Sequence, residues 1–221
     1  MISVIIPSYN RHRELLRAVE SVKAQTTKTP VEIVVVNDGS TQPEYYKKWD
    51  GVKMIHLPKN TRDELGYPCA GFVRNVGIRA SAGHWLAFLD DDDYWEPEKL
   101  QKQLDVGKPV VCCEGYLLGI ENKTPFHSGV HNNYGLASMP AMVTSEVLES
   151  RNIILTSSVF VKREYGIYLT NGFKTDRPMG AKDGSGIFLD WEFWKEIAKI
   201  TPFHFIPEPL VGYCSLDNQQ Y

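Results

Sequence analysis

The amino-acid sequence predicts an α/β fold with a mostly parallel, doubly wound central sheet flanked by helices. Short apolar runs alternate with segments of helical periodicity through the first half of the chain. These runs are apolar at successive positions, which is typical of parallel strands buried between two layers of helices. Composition agrees, because 43% of the 221 residues are hydrophobic and 23% are charged, as in an ordinary globular domain.

The elements of the first half follow from these patterns. Five apolar, strand-like ranges are predicted as strands: 2–6, 31–36, 52–57, 84–89 and 109–113. The helices predicted between them cover 11–25, 43–49, 70–81 and 97–106. In the first helix, Leu15, Val19 and Val22 form one apolar face. Pro97 suits the first turn of the helix predicted at 97–106.

The second half of the chain is less regular. The ranges 115–150 and 168–186 have no clear period, and long stretches of this kind in compact domains are usually functional loops or disordered. The elements predicted around them are a strand, a helix and two short final strands: 153–161, 190–200, 203–206 and 210–214. The absence of a linker or a repeat predicts a single domain.

Charge and cysteine content exclude several classes of protein. The formal net charge of −3 gives no basic surface for nucleic acid, so no nucleic-acid partner is expected. The four cysteines form no CxxC pair, which favours reduced thiols in an intracellular protein. No signal peptide or transmembrane segment is recognised, so we expect a cytoplasmic protein, with the cytoplasmic face of a membrane as the alternative.

Four consecutive aspartates, Asp90 to Asp93, follow the predicted strand at 84–89. Carboxylates this close repel one another, and a hard divalent cation with oxygen ligands is the usual solution. In an extended chain, Asp90 and Asp92 would face one side and Asp91 and Asp93 the other, so one pair could hold a metal while the other anchors the loop. A solvated acidic turn is the alternative, whereas the positions that follow do not match an EF-hand.

Polar, turn-prone segments follow three of the predicted strands: Pro7–Asn10, Asn37–Thr41 and Asp90–Asp93. Each has a simpler interpretation when taken alone, because Asn37–Ser40 could be a plain turn and Tyr9 a core residue. In open α/β sheets, however, ligands bind beyond the carboxyl ends of the strands. The shared edge therefore favours a ligand site.

Arg11, His12 and Arg13 occupy the start of the first predicted helix, where the helix dipole disfavours cations. A phosphate bound nearby would explain them, and the alternative is that the side chains bend into solvent. The sequence has no GxxxxGK[ST], GxGxxG or GxSxG motif, which argues against P-loop NTPases, dinucleotide dehydrogenases and α/β-hydrolases. A nucleotide site that uses a metal at a strand end remains.

Together these motifs resemble family 2 glycosyltransferases of the GT-A fold. The order and spacing match from residue 2 to about 100, through the segments Val4–Asn10, Val35–Thr41, Arg74–Gly77 and Phe88–Asp93. Two later segments resemble the start of a helix and the closing strand of the family: Leu189–Trp194 and Pro207–Tyr213. The range 114–150 has no match.

The resemblance implies roles on the donor side. Tyr9 would stack on the nucleotide base, Asp38 would hydrogen-bond the edge of the base, and Arg74 would also contact the nucleotide. Asp90 would touch the ribose, while Asp92 would ligate Mn²⁺ or Mg²⁺ bridging the diphosphate. The implied nucleotide-binding set is completed by Pro7 and Asp91.

The resemblance also implies that Asp190 is the catalytic base. Leu189 stands where the family usually has a glutamate, and Glu192 is therefore kept as the alternative base. Cys214 and Leu216 replace an arginine and a histidine that the family often has near its last strand. If that histidine normally completes the metal shell, water or another residue must do so here, with His127 and His131 as candidates.

The implied function is a metal-dependent, inverting glycosyltransferase. It would move a sugar from a nucleoside diphosphate sugar, with UDP-sugars favoured, to an acceptor hydroxyl on a glycan or another acceptor. Residues 1–221 would form a single GT-A domain, in which 1–113 bind the nucleotide sugar and 114–221 form the acceptor side. Two alternatives remain, a nucleotidyltransferase that makes a nucleotide sugar and a non-catalytic metal- or nucleotide-binding domain. The chain is also compatible with being part of a longer multidomain polypeptide.

Overall fold

The computed structural model describes residues 1–117, 139–168, 170–175 and 189–214. The strands in these ranges are β1 (Ile2–Ser8), β2 (Val31–Asn37), β3 (Val52–His56), β4 (Trp85–Phe88), β5 (Tyr94–Trp95), β6 (Val110–Leu117), β7 (Met142–Val143), β8 (Phe160–Lys162) and β9 (Phe203–Tyr213). The α-helices are α1 (His12–Lys23), α2 (Thr61–Leu65), α3 (Ala70–Ala80), α4 (Lys99–Asp105), α5 (Ser145–Ser150) and α6 (Leu189–Ile200). There are also 3₁₀ turns at Pro43–Tyr46 and Thr156–Ser158 and a π-helical turn at Glu164–Tyr168.

The nine strands of these ranges form one sheet in the order β3-β2-β1-β4-β8-β6-β9-β5, with β7 paired to β9. The strands β1 to β4 are parallel to one another. The strands β6 and β9 run in the same direction, whereas β5, β7 and β8 run against it. The predicted α/β fold with a largely parallel sheet is therefore confirmed.

The sheet is buried on both faces. Successive residues of a strand point to opposite sides, and in β1 the side chains of Val4 and Ile6 pack in one apolar cluster with Leu15 of α1. Ile5 points the other way and packs in the second cluster, with α3 and α6. These two layers fix the sheet and leave the carboxyl ends of its central strands at one edge.

Most elements predicted for the first half are present, although their ends differ by a few residues. The helix predicted at 43–49 is only the 3₁₀ turn at Pro43–Tyr46, and α2 and β5 were not predicted. In the second half, β7 and α5 lie within a range predicted to be loop-like, while 118–138 lie outside the described residues.

Two predictions about the second-half strands are wrong. The strand predicted at 153–161 begins only at Phe160, because hydroxyl side chains of Thr156–Ser158 form hydrogen bonds that compete with extended backbone. The two strands predicted at 203–206 and 210–214 are one strand, β9. It tolerates its prolines because the pairing with β6 is irregular there, at Glu114.

Within the described part of the chain, no helix has the length and apolar character that a membrane crossing requires.

Candidate functional site

The polar segments at the ends of β1, β2 and β4 meet at one edge of the sheet, as predicted. The strand β1 lies between β2 and β4 and pairs in parallel with both, so all three carboxyl ends point the same way. The backbone amide of Asp38 donates to the carbonyl oxygen of Ser8 at 2.9 Å, which carries the β1–β2 pairing into the loops.

The loops that follow β1 and β2 are joined by side-chain hydrogen bonds. Asn10 has a positive φ of 52°, a conformation that asparagine tolerates better than most residues. Its Oδ1 accepts from the amide of Thr41 at 2.8 Å, and its own amide donates to Ser40 Oγ at 2.9 Å. The two loops therefore form one braced surface.

Asp38 is held at this surface by the start of α2. Its Oδ1 accepts from the amide of Thr61 at 2.8 Å, and its Oδ2 accepts from Thr61 Oγ1 at 2.7 Å. Burial raises the pKa of Asp38, and the bonds from Thr61 oppose that shift. The chain approaches α2 closely here, because a Cβ on Gly39, at φ +70°, would lie 2.7 Å from the backbone nitrogen of Asn60.

Tyr9 lies at the same edge with 45% of its surface exposed, although it directly follows a strand that is buried except at Pro7. It is therefore not the core residue that the sequence left as an alternative. Pro7 is half-buried within β1, opposite Val36 of β2. An aromatic face near a buried carboxylate can bind a planar ring that carries an N–H donor.

The four aspartates divide into two anchoring and two partly exposed side chains. The chain turns here, since the amide of Asp93 donates to the carbonyl of Asp90 at 3.1 Å, so the extended conformation assumed from the sequence is wrong. The division itself is nevertheless present, because Asp91 and Asp93 are buried while Asp90 and Asp92 are partly exposed.

The buried pair anchors the loop. Ser8 Oγ donates to Asp91 Oδ2 at 2.6 Å, and the amide of Cys214 donates to Asp93 Oδ1 at 2.9 Å. Burial, together with the charges of neighbouring aspartates, raises the pKa of Asp91 to about 7 and that of Asp93 well above its ordinary value. The pKa of Asp92 is also raised, first by burial and then by Asp90. The loop thus holds more negative charge than its surroundings favour.

Two arginines partly offset this charge. Arg11 Nη1 donates to Asp92 Oδ2 at 2.5 Å and lies 3.4 Å from Asp91 Oδ1. In this structure Arg11 is thus paired with carboxylates, which is neither the nearby phosphate nor the solvent exposure considered from the sequence. Arg13 is exposed to solvent, as the second of these explanations expected. Arg74, on α3, forms an ion pair with Asp90.

Arg74 is buried, with its Cζ 5.4 Å from the ring centroid of Phe173. Its Nε is buried and has no hydrogen-bond partner among the described residues. Leaving a buried donor unpaired costs roughly 1–3 kcal/mol. This N–H is therefore a feature that a ligand oxygen would satisfy.

Asp190 joins the site from the first turn of α6. Its Oδ2 accepts from Thr156 Oγ1 at 2.8 Å, and its Oδ1 accepts from the amide of Trp191 at 2.8 Å. Burial raises the pKa of Asp190, and the positive charge of Arg74 opposes this shift while Asp90 adds to it. The charge of Arg74 thus acts on both Asp90 and Asp190.

Glu192 lies elsewhere on the same helix. Two residues along an α-helix correspond to a rotation of about 200°, so Glu192 and Asp190 point to different sides. Glu192 pairs with Lys195 of α6, with Oε1 and Nζ separated by 2.6 Å. Asp190 is therefore the better placed of the two carboxylates predicted as a base.

The donor atoms at this edge fit a divalent cation that a ligand helps to bind. In the described ranges, no three His, Cys, Asp or Glu side chains are arranged to hold a metal ion. However, Mg²⁺ is commonly held by one or two carboxylates together with phosphate oxygens of a substrate. Asp90 and Asp92 offer such carboxylates, in a loop whose four acidic side chains outnumber Arg11 and Arg74. The metal-ligand candidates His127 and His131, and also Leu216, lie outside the described residues.

The sequence did not identify several residues that shape the site. Ser8, Thr156 and Ser157 donate to Asp91, Asp190 and Asp93, respectively. The available signal was three consecutive hydroxyl residues at 156–158 inside an otherwise apolar run. Such a run is more typical of a polar turn than of a strand interior.

Comparison with known sequences gives one family. The sequence model described as "Glycosyl transferase family 2" matches residues 3–117, just over half of the 221 residues. The chain is 29% identical over 173 residues to "Putative teichuronic acid biosynthesis glycosyltransferase TuaG" of Bacillus subtilis, which covers 74% of this chain and 63% of that protein. It is 33% identical over 106 residues to "UDP-Glc:alpha-D-GlcNAc-diphosphoundecaprenol beta-1,3-glucosyltransferase WfaP" of Escherichia coli, covering 47% of this chain and 40% of that protein. The chain thus spans less than two thirds of the length of either relative.

Solved structures agree with this assignment. The TarS 1–349 structure from S. aureus in complex with UDP has a TM-score of 0.67 and 19% identity, over 97% of this chain and 60% of that one. The mannosyltransferase PcManGT from Pyrobaculum calidifontis, in complex with GDP-Man and Mn2+, has a TM-score of 0.67 and 19% identity, over 99% of this chain and 57% of that one. At this identity the likeness shows the fold, and it confirms the predicted GT-A fold. The family model, by contrast, matches the sequence over residues 3–117, which contain the strands that build the site, and this match shows that the chain belongs to glycosyl transferase family 2.

Proposed function

We propose that this chain catalyses the metal-dependent transfer of a sugar from a nucleoside diphosphate sugar to an acceptor hydroxyl, with inversion at the anomeric carbon. The observation that carries the proposal is that adjacent hydroxyl groups, those of Ser157 and Thr156, bond to the amide of Asp90 and to Asp190 Oδ2, respectively. Arg74 forms its ion pair with Asp90 at the same place. A donor-side carboxylate and a half-buried candidate base thus lie at one edge of the sheet. Such an arrangement suits a reaction in which a leaving group and a nucleophile meet.

The donor side is the set Pro7, Tyr9, Asp38, Arg74, Asp90 and Asp91. In this proposal, the exposed ring of Tyr9 stacks on the base, while Asp38 accepts a hydrogen bond from a ring N–H. Uracil and guanine have such an N–H, whereas adenine does not, so UDP-sugars are favoured and GDP- or dTDP-sugars come next. The similar proteins support a uracil or guanine nucleotide, because the WfaP relative is named for UDP-Glc and the similar structures contain UDP or GDP-Man. The unpaired Nε of Arg74 would donate to a nucleotide oxygen.

Asp92 is the proposed protein ligand of Mn²⁺ or Mg²⁺, and its contact with Arg11 would have to rearrange for this. When bound, the cation would stabilise the negative charge that develops on the departing diphosphate. Arg11 would stay close to the diphosphate and add a second positive charge. The diphosphate would then be the anion that the cations at the start of α1 led us to expect, in addition to the aspartates that Arg11 contacts.

Asp190 is the proposed general base. As the acceptor oxygen attacks the anomeric carbon, the Asp190 carboxylate takes the hydroxyl proton, and the bond from that carbon to the diphosphate oxygen breaks. A single displacement with the base opposite the leaving group inverts the anomeric carbon. We further propose that 1–113 bind the donor and 114–221 the acceptor within one domain.

A release assay tests the proposal. Purified protein is incubated with a panel of UDP-, GDP-, dTDP- and ADP-sugars, with Mn²⁺ or EDTA, and the nucleotide released is measured with and without candidate acceptors. We expect metal-dependent release of UDP that acceptor accelerates. Release of pyrophosphate from UTP and a sugar phosphate would instead identify a nucleotidyltransferase. Metal-dependent donor binding with no turnover on any acceptor would favour the non-catalytic binding domain, and a preference for ADP-sugars would contradict the assignment of Tyr9 and Asp38.

A further inference from the structure

The 3₁₀ turn at Thr156–Ser158 lies between the two catalytic parts of the site. Its three residues are at least 93% buried, with relative exposures of 7%, 1% and 1%. Two of its hydroxyl groups contact carboxylates, namely Asp190, the proposed base, and Asp93, which anchors the loop that carries the donor-side aspartates. This arrangement is not needed to build the sheet, because the backbone of the turn is outside the strand ladder.

Thr156 contacts the acceptor side. Its Oγ1 donates to Asp190 Oδ2 at 2.8 Å, and this is the side-chain hydrogen bond that lowers the pKa of Asp190 against the effect of burial. The charged groups that act on Asp190 from other elements are Arg74 of α3 and Asp90 after β4. On α6 itself, Glu192 is paired with Lys195.

Ser157 contacts the donor side. Its Oγ donates to Asp93 Oδ2 at 2.5 Å and accepts from the backbone amide of Asp90 at 3.0 Å. The hydroxyl group therefore holds both ends of the four-aspartate loop. Removing it would loosen the loop without touching Asp190.

Side chains of α4 and β5 hold the backbone carbonyl groups of the turn. Trp95 Nε1 donates to the carbonyl of Ser157 at 2.8 Å, and Gln103 Nε2 donates to the carbonyl of Ser158 at 2.7 Å. Gln103 is oriented in turn by the buried Lys99, whose Nζ donates to Gln103 Oε1 at 2.7 Å. With its carbonyl groups held in this way, the turn can serve as a rigid reference for both carboxylate sites.

We propose that Thr156 and Ser157 are positioning residues that set the base and the donor loop relative to each other, with Thr156 orienting Asp190 and Ser157 holding Asp90 to Asp93. The proposal rests on the function proposed above. It assigns separate kinetic roles to two adjacent hydroxyl groups. Thr156 acts on proton transfer through Asp190, and Ser157 acts on donor binding through the loop.

Three variants test the division: Thr156→Val, Thr156→Ser and Ser157→Ala. A hydrogen bond to a carboxylate favours its charged form, so loss of the Thr156 hydroxyl should raise the pKa of Asp190. We expect the acid limb of the kcat profile to move up by about one pH unit in Thr156→Val, with the donor KM unchanged. Thr156→Ser should restore the wild-type profile. Ser157→Ala should raise the donor KM about tenfold and leave the acid limb in place.

Equal losses of kcat at all pH values in Thr156→Val and Ser157→Ala, or no rescue by Thr156→Ser, would overturn the proposal. A second measurement does not depend on turnover. In metal-free protein, a ¹³C NMR titration of the Asp190 carboxyl, assigned with Asp190→Asn, should give a higher pKa in Thr156→Val than in the wild type and in Thr156→Ser. An unchanged pKa would overturn the role of Thr156. Failure of the proposed function would look different, because the wild type would then transfer no sugar or Asp190→Asn would remain active.

Discussion

Replacing Asp190 by asparagine should separate a catalytic base from a helix-capping residue. Asparagine keeps one side-chain oxygen, which can still accept from the amide of Trp191, and its NH₂ can donate to the hydroxyl oxygen of Thr156. At most one hydrogen bond is weakened, which costs about 1 kcal/mol. The substitution also removes a half-buried charge, and loss of solvent around this carboxyl raises the pKa of Asp190. We therefore expect a change in Tm of only about 2–4 °C.

The expected effect on the reaction is much larger, because asparagine cannot take the acceptor proton. Loss of a general base lowers a rate by roughly 10²–10⁴, which corresponds to about 3–5 kcal/mol in the activation barrier. The assay is acceptor-dependent release of nucleotide at saturating donor, beside calorimetric donor binding, which should stay near the wild-type value. The matched control is Glu192→Gln on the same helix, which breaks the pair with Lys195 and should retain transfer.

Two results would refute the reasoning. If Asp190→Asn transfers at a near-normal rate while Glu192→Gln does not, the base is Glu192, and the inference that Asp190 is the residue of α6 that faces the acceptor is wrong. If both variants transfer normally, the base is not on this helix. A large loss of Tm in Asp190→Asn would show instead that the carboxylate acts mainly in folding.

Three further predictions concern the donor edge. Asp92→Asn should remove most of the effect of Mn²⁺ on nucleotide binding, and calorimetry that shows the same metal dependence as in the wild type would contradict this. The pKa of Asp91 is raised to about 7, so the native state keeps a proton that the unfolded state has lost between about pH 4 and 7. The unfolding free energy of the wild type should therefore fall relative to that of Asp91→Asn as pH rises through this window. If denaturant unfolding gives the same difference between the two proteins at pH 4 and at pH 7, the raised pKa is excluded. Gly39→Ala should lower the unfolding free energy by about 1–3 kcal/mol more than the control Gly51→Ala. Both glycines have φ near +70°, but only at Gly39 would a Cβ lie 2.7 Å from a backbone atom. Equal losses of unfolding free energy would show that the loop relaxes to accept the Cβ.

Local patterns in the sequence were enough to predict most elements of the first half of the fold, with α2 and β5 as exceptions. The strands β1, β2 and β4 are mostly apolar runs, and α1 carries its apolar residues at helical spacing. The ends of these elements are marked by local turn-forming residues, which is why the polar segments could be assigned to one edge before their distances were known. The strands of the second half were less predictable, because β8 is short and β9 contains two prolines.

The sequence by itself determined the residue types at the candidate site, its place at the edge of a parallel sheet and the family resemblance, since all of these follow from short-range patterns. Only the tertiary structure decided which groups meet. Arg11 contacts Asp92 across 81 residues, and Ser157 contacts Asp93 across 64. Such contacts depend on strand register and on the packing of helices against the sheet, and these arise from interactions distributed over the whole chain. The sequence therefore contained the hydroxyl residues of the turn at Thr156–Ser158 but could not show that they bond to Asp190 and to the aspartate loop.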